Sequence, residues 1–189
     1  MSLNEFVLAL SGVILGLGIA DLLASLHRLL RAGSRVKWDW LTLLFAAYVL
    51  FGLIIFWWWQ FGFPAAGKTL TVFQYLPNFA FLALSFLMAA SALPDDVPPE
   101  GLALRDFYSA TVTYRWGLLT ASLVGNFIAL VWQVITSGTP YWLGLGVVGV
   151  AVMLACAALR FRARWFHGLV LATLFTLSGL GAAAYAIGP

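Results

Sequence analysis

Long apolar stretches alternate with short connections that carry most of the charged residues. The apolar stretches cover about residues 5–30, 38–63, 69–93, 104–136, 141–159 and 165–187. A helix needs about 20 predominantly apolar residues to cross the hydrocarbon core of a bilayer. The pattern therefore predicts an all-α membrane protein, a bundle of six transmembrane helices.

The composition makes lipid the expected solvent. Hydrophobic residues make up 63% of the chain and charged residues 9%, whereas a soluble domain carries about 25% charged residues. This number of charged residues is too small to cover a surface exposed to water. The lipid bilayer is therefore the first predicted partner. Because the six stretches and their connections use nearly the whole chain, residues 1–189 are expected to form a single transmembrane domain.

Positive charges concentrate in and beside the connections that follow the first, third and fifth helices. Connections rich in lysine and arginine usually stay on the cytoplasmic side, and the opposite connections hold only Lys68. The pattern predicts that the N-terminus and the C-terminus both lie outside. Because topology accounts for the net charge of +3, nucleic acid is not a predicted partner. The basic residues in and beside the connections after the first, third and fifth helices are Arg28, Arg31, Arg35, Lys37, Arg105, Arg160, Arg162 and Arg164.

An acidic residue, Asp21, lies inside the first apolar stretch. It precedes the basic end of that helix by about two turns, roughly 10 Å, and Ser25 follows it on the same helix face. A carboxylate in the bilayer costs about 3 kcal/mol on insertion scales, so it needs a polar partner. Arg115 is expected at a similar depth on the fourth helix. The two residues form either a structural clasp between two helices or a site that handles an ion or proton, or else each charge reaches water independently.

Polar residues form stripes on the third and fourth helices. On the fourth, Ser122 and Asn126 continue the face of Arg115; on the third, Gln74 and Asn78 form a weaker counterpart. Two facing stripes either line a hydrophilic path or form hydrogen bonds between helices. The candidate intramembrane polar site comprises Asp21, Ser25, Arg115, Ser122, Asn126, Gln74 and Asn78.

Small residues recur every four positions along the first helix, at Gly12, Gly16, Ala20 and Ala24. This spacing lets another helix backbone approach closely. The ladder is either a face that forms a homo-oligomer or a packing surface for a helix of the same chain.

Catalytic, metal and cofactor sites are not predicted. His27 and His167 are the only histidines, and the sequence offers no cluster of three or four metal ligands. Neither histidine, nor Tyr108, has an acidic residue at a spacing typical of a catalytic motif. Gly144 to Gly149 match a dinucleotide-binding pattern, but no strand precedes them.

Four local sequence features occur between residues 26 and 116. They are Leu26-His27-Arg28-Leu29-Leu30-Arg31, then Phe56-Trp57-Trp58-Trp59, then Leu93-Pro94 leading into Pro99-Glu100-Gly101 and Leu104-Arg105, and last Phe107-Tyr108 with Tyr114-Arg115-Trp116. Together they resemble a group of small, uncharacterised polytopic proteins of the bacterial inner membrane. The resemblance implies a multi-pass protein of the bacterial inner (plasma) membrane and brings no known activity.

Two function hypotheses follow from these features. The polar stripes and the Asp21–Arg115 depth match favour a channel-like or transporter-like protein for a small solute or ion. The alternative is a non-enzymatic scaffold, sensor or accessory subunit of a larger complex. The small-residue ladder supports that alternative, as do the basic connections and the acidic segment from Asp95 to Glu100, which offer a docking place for a protein partner.

Overall fold

The structure is a computed structural model that describes residues 3–60, 72–137 and 141–184. Across these ranges the chain forms six long helices, and each is long and apolar enough to cross a membrane. This confirms the predicted bundle. The helices are α1 (Leu3–Ala32), α2 (Trp40–Gln60), α3 (Val72–Ala92), α4 (Leu104–Ser137), α5 (Trp142–Arg160) and α6 (Arg164–Ala184).

The helices carry apolar side chains both where they pack on one another and on the outer surface of the bundle. Inside, α1 lies against α2 and α3, α4 lies against α3 and α5, and α6 lies against α2 and α5. Outside, large apolar side chains such as Leu143 and Trp165 are exposed. Lipid is the solvent that such a surface requires.

Two very short strands join the connections after α1 and α3. Strand β1 (Val36–Lys37) pairs in parallel with β2 (Leu102–Ala103). Just before β2, Gly101 has a positive φ of 99°, and a Cβ atom there would lie 2.7 Å from the carbonyl oxygen of Arg35. Glycine is therefore required for this close approach.

The connections after α1, α3 and α5 meet at one end of the bundle. The β1–β2 pairing joins the first two, and an ion pair between Asp39 and Arg164 joins the first to the start of α6. We call this the basic end, because it carries the arginines identified in the sequence. The side of the membrane on which it lies, and so the position of the termini, stays a prediction.

The small-residue ladder on α1 faces away from the bundle. Gly16, Ala20 and Ala24 are exposed, and a Cβ atom added at Gly12 or Gly16 would meet no described atom within 4 Å. The packing of α1 on α3 uses Gly18 instead, where an added Cβ would lie 3.4 Å from that of Ala89. Among the described residues, no other helix therefore packs closely against Gly12 or Gly16, and the interpretation that the ladder packs against a helix of the same chain finds no support there.

Candidate functional site: the polar cluster of the basic end

Asp39 joins the starts of three helices at the basic end. Its Oδ2 accepts a hydrogen bond from the backbone N–H of Thr42 at 3.2 Å, which caps the N-terminus of α2. The Thr42 hydroxyl lies 3.0 Å from both Asp39 Oδ2 and the carbonyl oxygen of Leu104 at the start of α4. Arg164, the first residue of α6, forms an ion pair with Asp39 Oδ1. A carboxylate at a helix N-terminus with a paired arginine is electrostatically well placed.

A buried chain of three aromatic side chains lies beside this ion pair. Trp116 Nε1 donates a hydrogen bond to Tyr108 Oη at 3.0 Å, and Tyr108 Oη lies 2.9 Å from His167 Nδ1. His167 Nε2 lies 3.0 Å from the carbonyl oxygen of Ala158 and 2.9 Å from that of Phe161. Because carbonyl oxygens only accept, Nε2 carries a proton, and in the neutral form of His167 its Nδ1 accepts a hydrogen bond from the Tyr108 hydroxyl.

His167 therefore closes the C-terminal end of α5. The last carbonyl groups of a helix have no partner inside the helix, and His167 Nε2 binds the oxygens of Ala158 and Phe161 there. Both ring nitrogens of this histidine are engaged, so its neutral form is a structural link between α4, α5 and α6.

Arg115 closes the C-terminal end of α3. Its Nε donates to the carbonyl oxygen of Ser91 at 2.9 Å and its Nη2 to that of Ala92 at 3.0 Å. The side chain is completely buried, and its guanidinium lies 4.5 Å from the centroid of the Phe107 ring, with Phe45 and Tyr108 further out. Such cation–π contacts favour a desolvated arginine.

The predicted pair between Asp21 and Arg115 does not form. Both residues are described, yet Arg115 binds backbone oxygens at the end of α3. Asp21 is half-buried on α1 and makes no hydrogen bond or ion pair within the described part of the chain. The physical reason is that helix-end carbonyls carry partial negative charge, so a guanidinium has suitable partners without a carboxylate.

The other predicted site residues are not brought together around Arg115. Ser25 is buried, accepts a hydrogen bond from Arg28 Nη2 at 2.8 Å and lies 3.4 Å from Asp95 Oδ1. Asn78 Oδ1 accepts a hydrogen bond from Gln60 at 3.1 Å. Ser122 is buried and its hydroxyl has no partner among the described atoms, and Asn126 is half-buried. The side chain of Gln74 lies outside the described residues.

Asp39 and Arg164 are the site residues that sequence reasoning missed. A signal for Asp39 exists, because an aspartate directly before an apolar run, here that of α2, is a typical N-cap of a helix. No comparable local signal marks Arg164, since its partner lies 125 positions away.

No protein family model, curated protein or solved structure matches this chain. The resemblance to small bacterial inner-membrane proteins therefore stays a prediction. Within the described ranges no group of three or more histidine, cysteine or carboxylate side chains is placed to hold a metal ion. The arrangement that is present, with its charges and hydrogen-bonding groups directed at helix ends, holds the helices together at the basic end.

Proposed function

We propose that this protein is a non-enzymatic membrane module that assembles through α1, first of all with a second copy of itself. The observation that carries the proposal is the outward direction of the α1 ladder, with the half-buried Asp21 beside it. This is the scaffold or accessory-subunit hypothesis, and it includes the predicted homo-oligomer. A bacterial inner-membrane location is part of the same proposal.

The ladder supports close approach by another helix. Membrane helices associate through backbone contact at small residues, since lipid offers no hydrophobic driving force between them. Gly12 and Gly16 have open space where a Cβ would lie, and Ala20 and Ala24 are exposed below them. The described side chains of the bundle therefore leave the backbone at Gly12 and Gly16 open to a second helix.

Asp21, at the edge of the ladder surface, also supports a protein partner. It lies within the membrane-spanning part of α1, yet the described residues of its own chain offer it no hydrogen bond. An intramembrane carboxyl group that is left without a partner costs about 3 kcal/mol on insertion scales. Contact with another protomer lowers that cost when it supplies hydrogen-bond partners for the carboxyl group.

Cysteine crosslinking in native membranes tests the assembly face. In a Cys156→Ala background, Gly16→Cys and Ala20→Cys are each expected to give a disulfide-linked dimer under mild oxidation, because a disulfide requires Cα atoms within about 7 Å. Gly146→Cys is the matched control, since Gly146 is exposed on α5 with open space around it. Equal dimer yields at all three positions, or none on α1, would refute the proposal.

A second candidate function is a path for a small solute or ion along the buried side of α4. The hydroxyl oxygens of Thr120 and Ser122 are buried on α4 with no partner among the described atoms, and such atoms are commonly satisfied by water. Proteoliposomes should then show solute flux that Ser122→Val reduces. Wild-type protein that carries no flux would reject this candidate.

A further inference from the structure

A cleft of about 280 Å³ opens at the basic end, away from the buried polar cluster. Its lining consists of Arg28, Arg31, Ala32, Arg35 and Val97. The first four belong to the last turns of α1 and the short 3₁₀ turn after it, and Val97 belongs to the connection between α3 and α4. The cleft therefore lies where α1 leaves the membrane-spanning region.

Three arginines line this cleft, and only one of them forms an ion pair with a described acidic residue. Arg28 Nη2 lies 3.6 Å from Asp95 Oδ1 and donates a hydrogen bond to Ser25 Oγ. Arg31 and Arg35 are exposed and make no ion pair or hydrogen bond with the described part of the chain. Like charges held close together repel one another, so the cleft favours an anion. By contrast, Arg115 and Arg164 are engaged elsewhere.

The frame of the cleft is held in place by backbone contacts. The β1 strand begins at Val36, directly after Arg35, and pairs with β2 of the opposite wall. Gly101 approaches the carbonyl oxygen of Arg35 so closely that no side chain fits between them. The backbone that carries Arg35 is therefore held beside the connection that carries Val97.

We propose that this cleft binds the phosphate of an anionic phospholipid headgroup. The planar guanidinium fork binds phosphate oxygens in pairs, and basic pockets at the ends of membrane helices suit such headgroups. The apolar lining from Ala32 and Val97 and the exposed Leu30 beside Arg31 provide contacts for the glycerol and acyl portion. Soluble phosphate would share the headgroup chemistry but gain nothing from these apolar contacts.

Native mass spectrometry of the full chain in mild detergent tests the proposal. Titration with phosphatidylglycerol is expected to give one retained lipid per protomer, at lower concentration than phosphatidylcholine, whose headgroup has no net charge. The double variant Arg31→Gln/Arg35→Gln should weaken the binding of phosphatidylglycerol about tenfold or more, since each arginine near anionic lipid contributes on the order of 1 kcal/mol.

The matched control is Arg160→Gln/Arg162→Gln. It removes the same charge from exposed arginines of the basic end that do not line the cleft, and its lipid affinity should stay at the wild-type value. Equal losses in the two double variants, or equal retention of the two lipids, would overturn the proposal. Binding of inorganic phosphate with the same arginine dependence, but without retention of phosphatidylglycerol, would overturn the assignment to lipid.

Discussion

Three buried polar side chains of the basic end, Asp39, Arg115 and His167, bind backbone groups where helices begin or end. Asp39 accepts a hydrogen bond from a backbone N–H group of α2. Arg115 and His167 donate hydrogen bonds to carbonyl oxygens at the ends of α3 and α5. In a membrane protein little water is available to satisfy such groups, and each one left without a partner costs several kcal/mol. The main effect of these three residues is therefore to stabilise the fold.

Replacement of Arg115 by glutamine is expected to lower the free energy of unfolding by about 3 kcal/mol. The shorter side chain leaves the buried carbonyl oxygens of Ser91 and Ala92 without their donors, at about 1–3 kcal/mol each. Unfolding by sodium dodecyl sulfate in mixed micelles measures the change. Arg162→Gln is the control, because an exposed substitution usually changes stability by less than about 0.5 kcal/mol. Equal stability of the two variants would contradict the capping role.

Single residues were the hardest feature to predict from the sequence. Arg115 stands out as a charge in an apolar stretch, but a search for a matching carboxylate points to Asp21. Its actual partners are main-chain oxygens, which leave no mark in the sequence. His167 has the same ambiguity, since its partners Ala158 and Phe161 also act through their backbone.

At the scale of elements, helix length follows from the apolar stretches, but the joints between helices do not. The fourth stretch was expected at 104–136, and α4 runs from Leu104 to Ser137. Strands of two residues, such as β1 and β2, have no periodic pattern that would reveal them. Their pairing depends on Gly101, whose role emerges only when Arg35 is known to lie beside it.

Replacement of Gly101 by alanine is expected to destabilise the basic end more than the same change at Gly33. Both glycines have positive φ, 99° and 56°, which an alanine adopts at a cost of about 1–2 kcal/mol. At Gly101 the new Cβ would also clash with the Arg35 carbonyl oxygen, whereas the space at Gly33 is open. The two unfolding free energies should therefore differ by at least about 1 kcal/mol. Equal values would show that the close approach contributes nothing to stability.

At the scale of the whole molecule, assembly through α1 depends on which side of this helix faces outward. The sequence predicts the ladder and its spacing, yet it does not say whether the ladder points into the bundle. An amphipathic helix reveals its buried face through polar residues on the other side, and α1 is apolar nearly all round. Only the packing of α1 through Gly18 and Leu22 shows that Gly16 and Ala20 lie on the exposed side.

The most direct test of assembly through α1 is sedimentation equilibrium in density-matched detergent over a range of protein concentrations. Wild-type protein is expected to form a reversible dimer. Gly16→Leu should raise its dissociation constant about tenfold or more, about 1.4 kcal/mol, because a large side chain separates the helix backbones. Gly146→Leu, an equally exposed glycine on α5, should behave like wild type. A wild-type protein that stays monomeric at every concentration, or a Gly16→Leu variant that dimerises as well as wild type, would contradict the account.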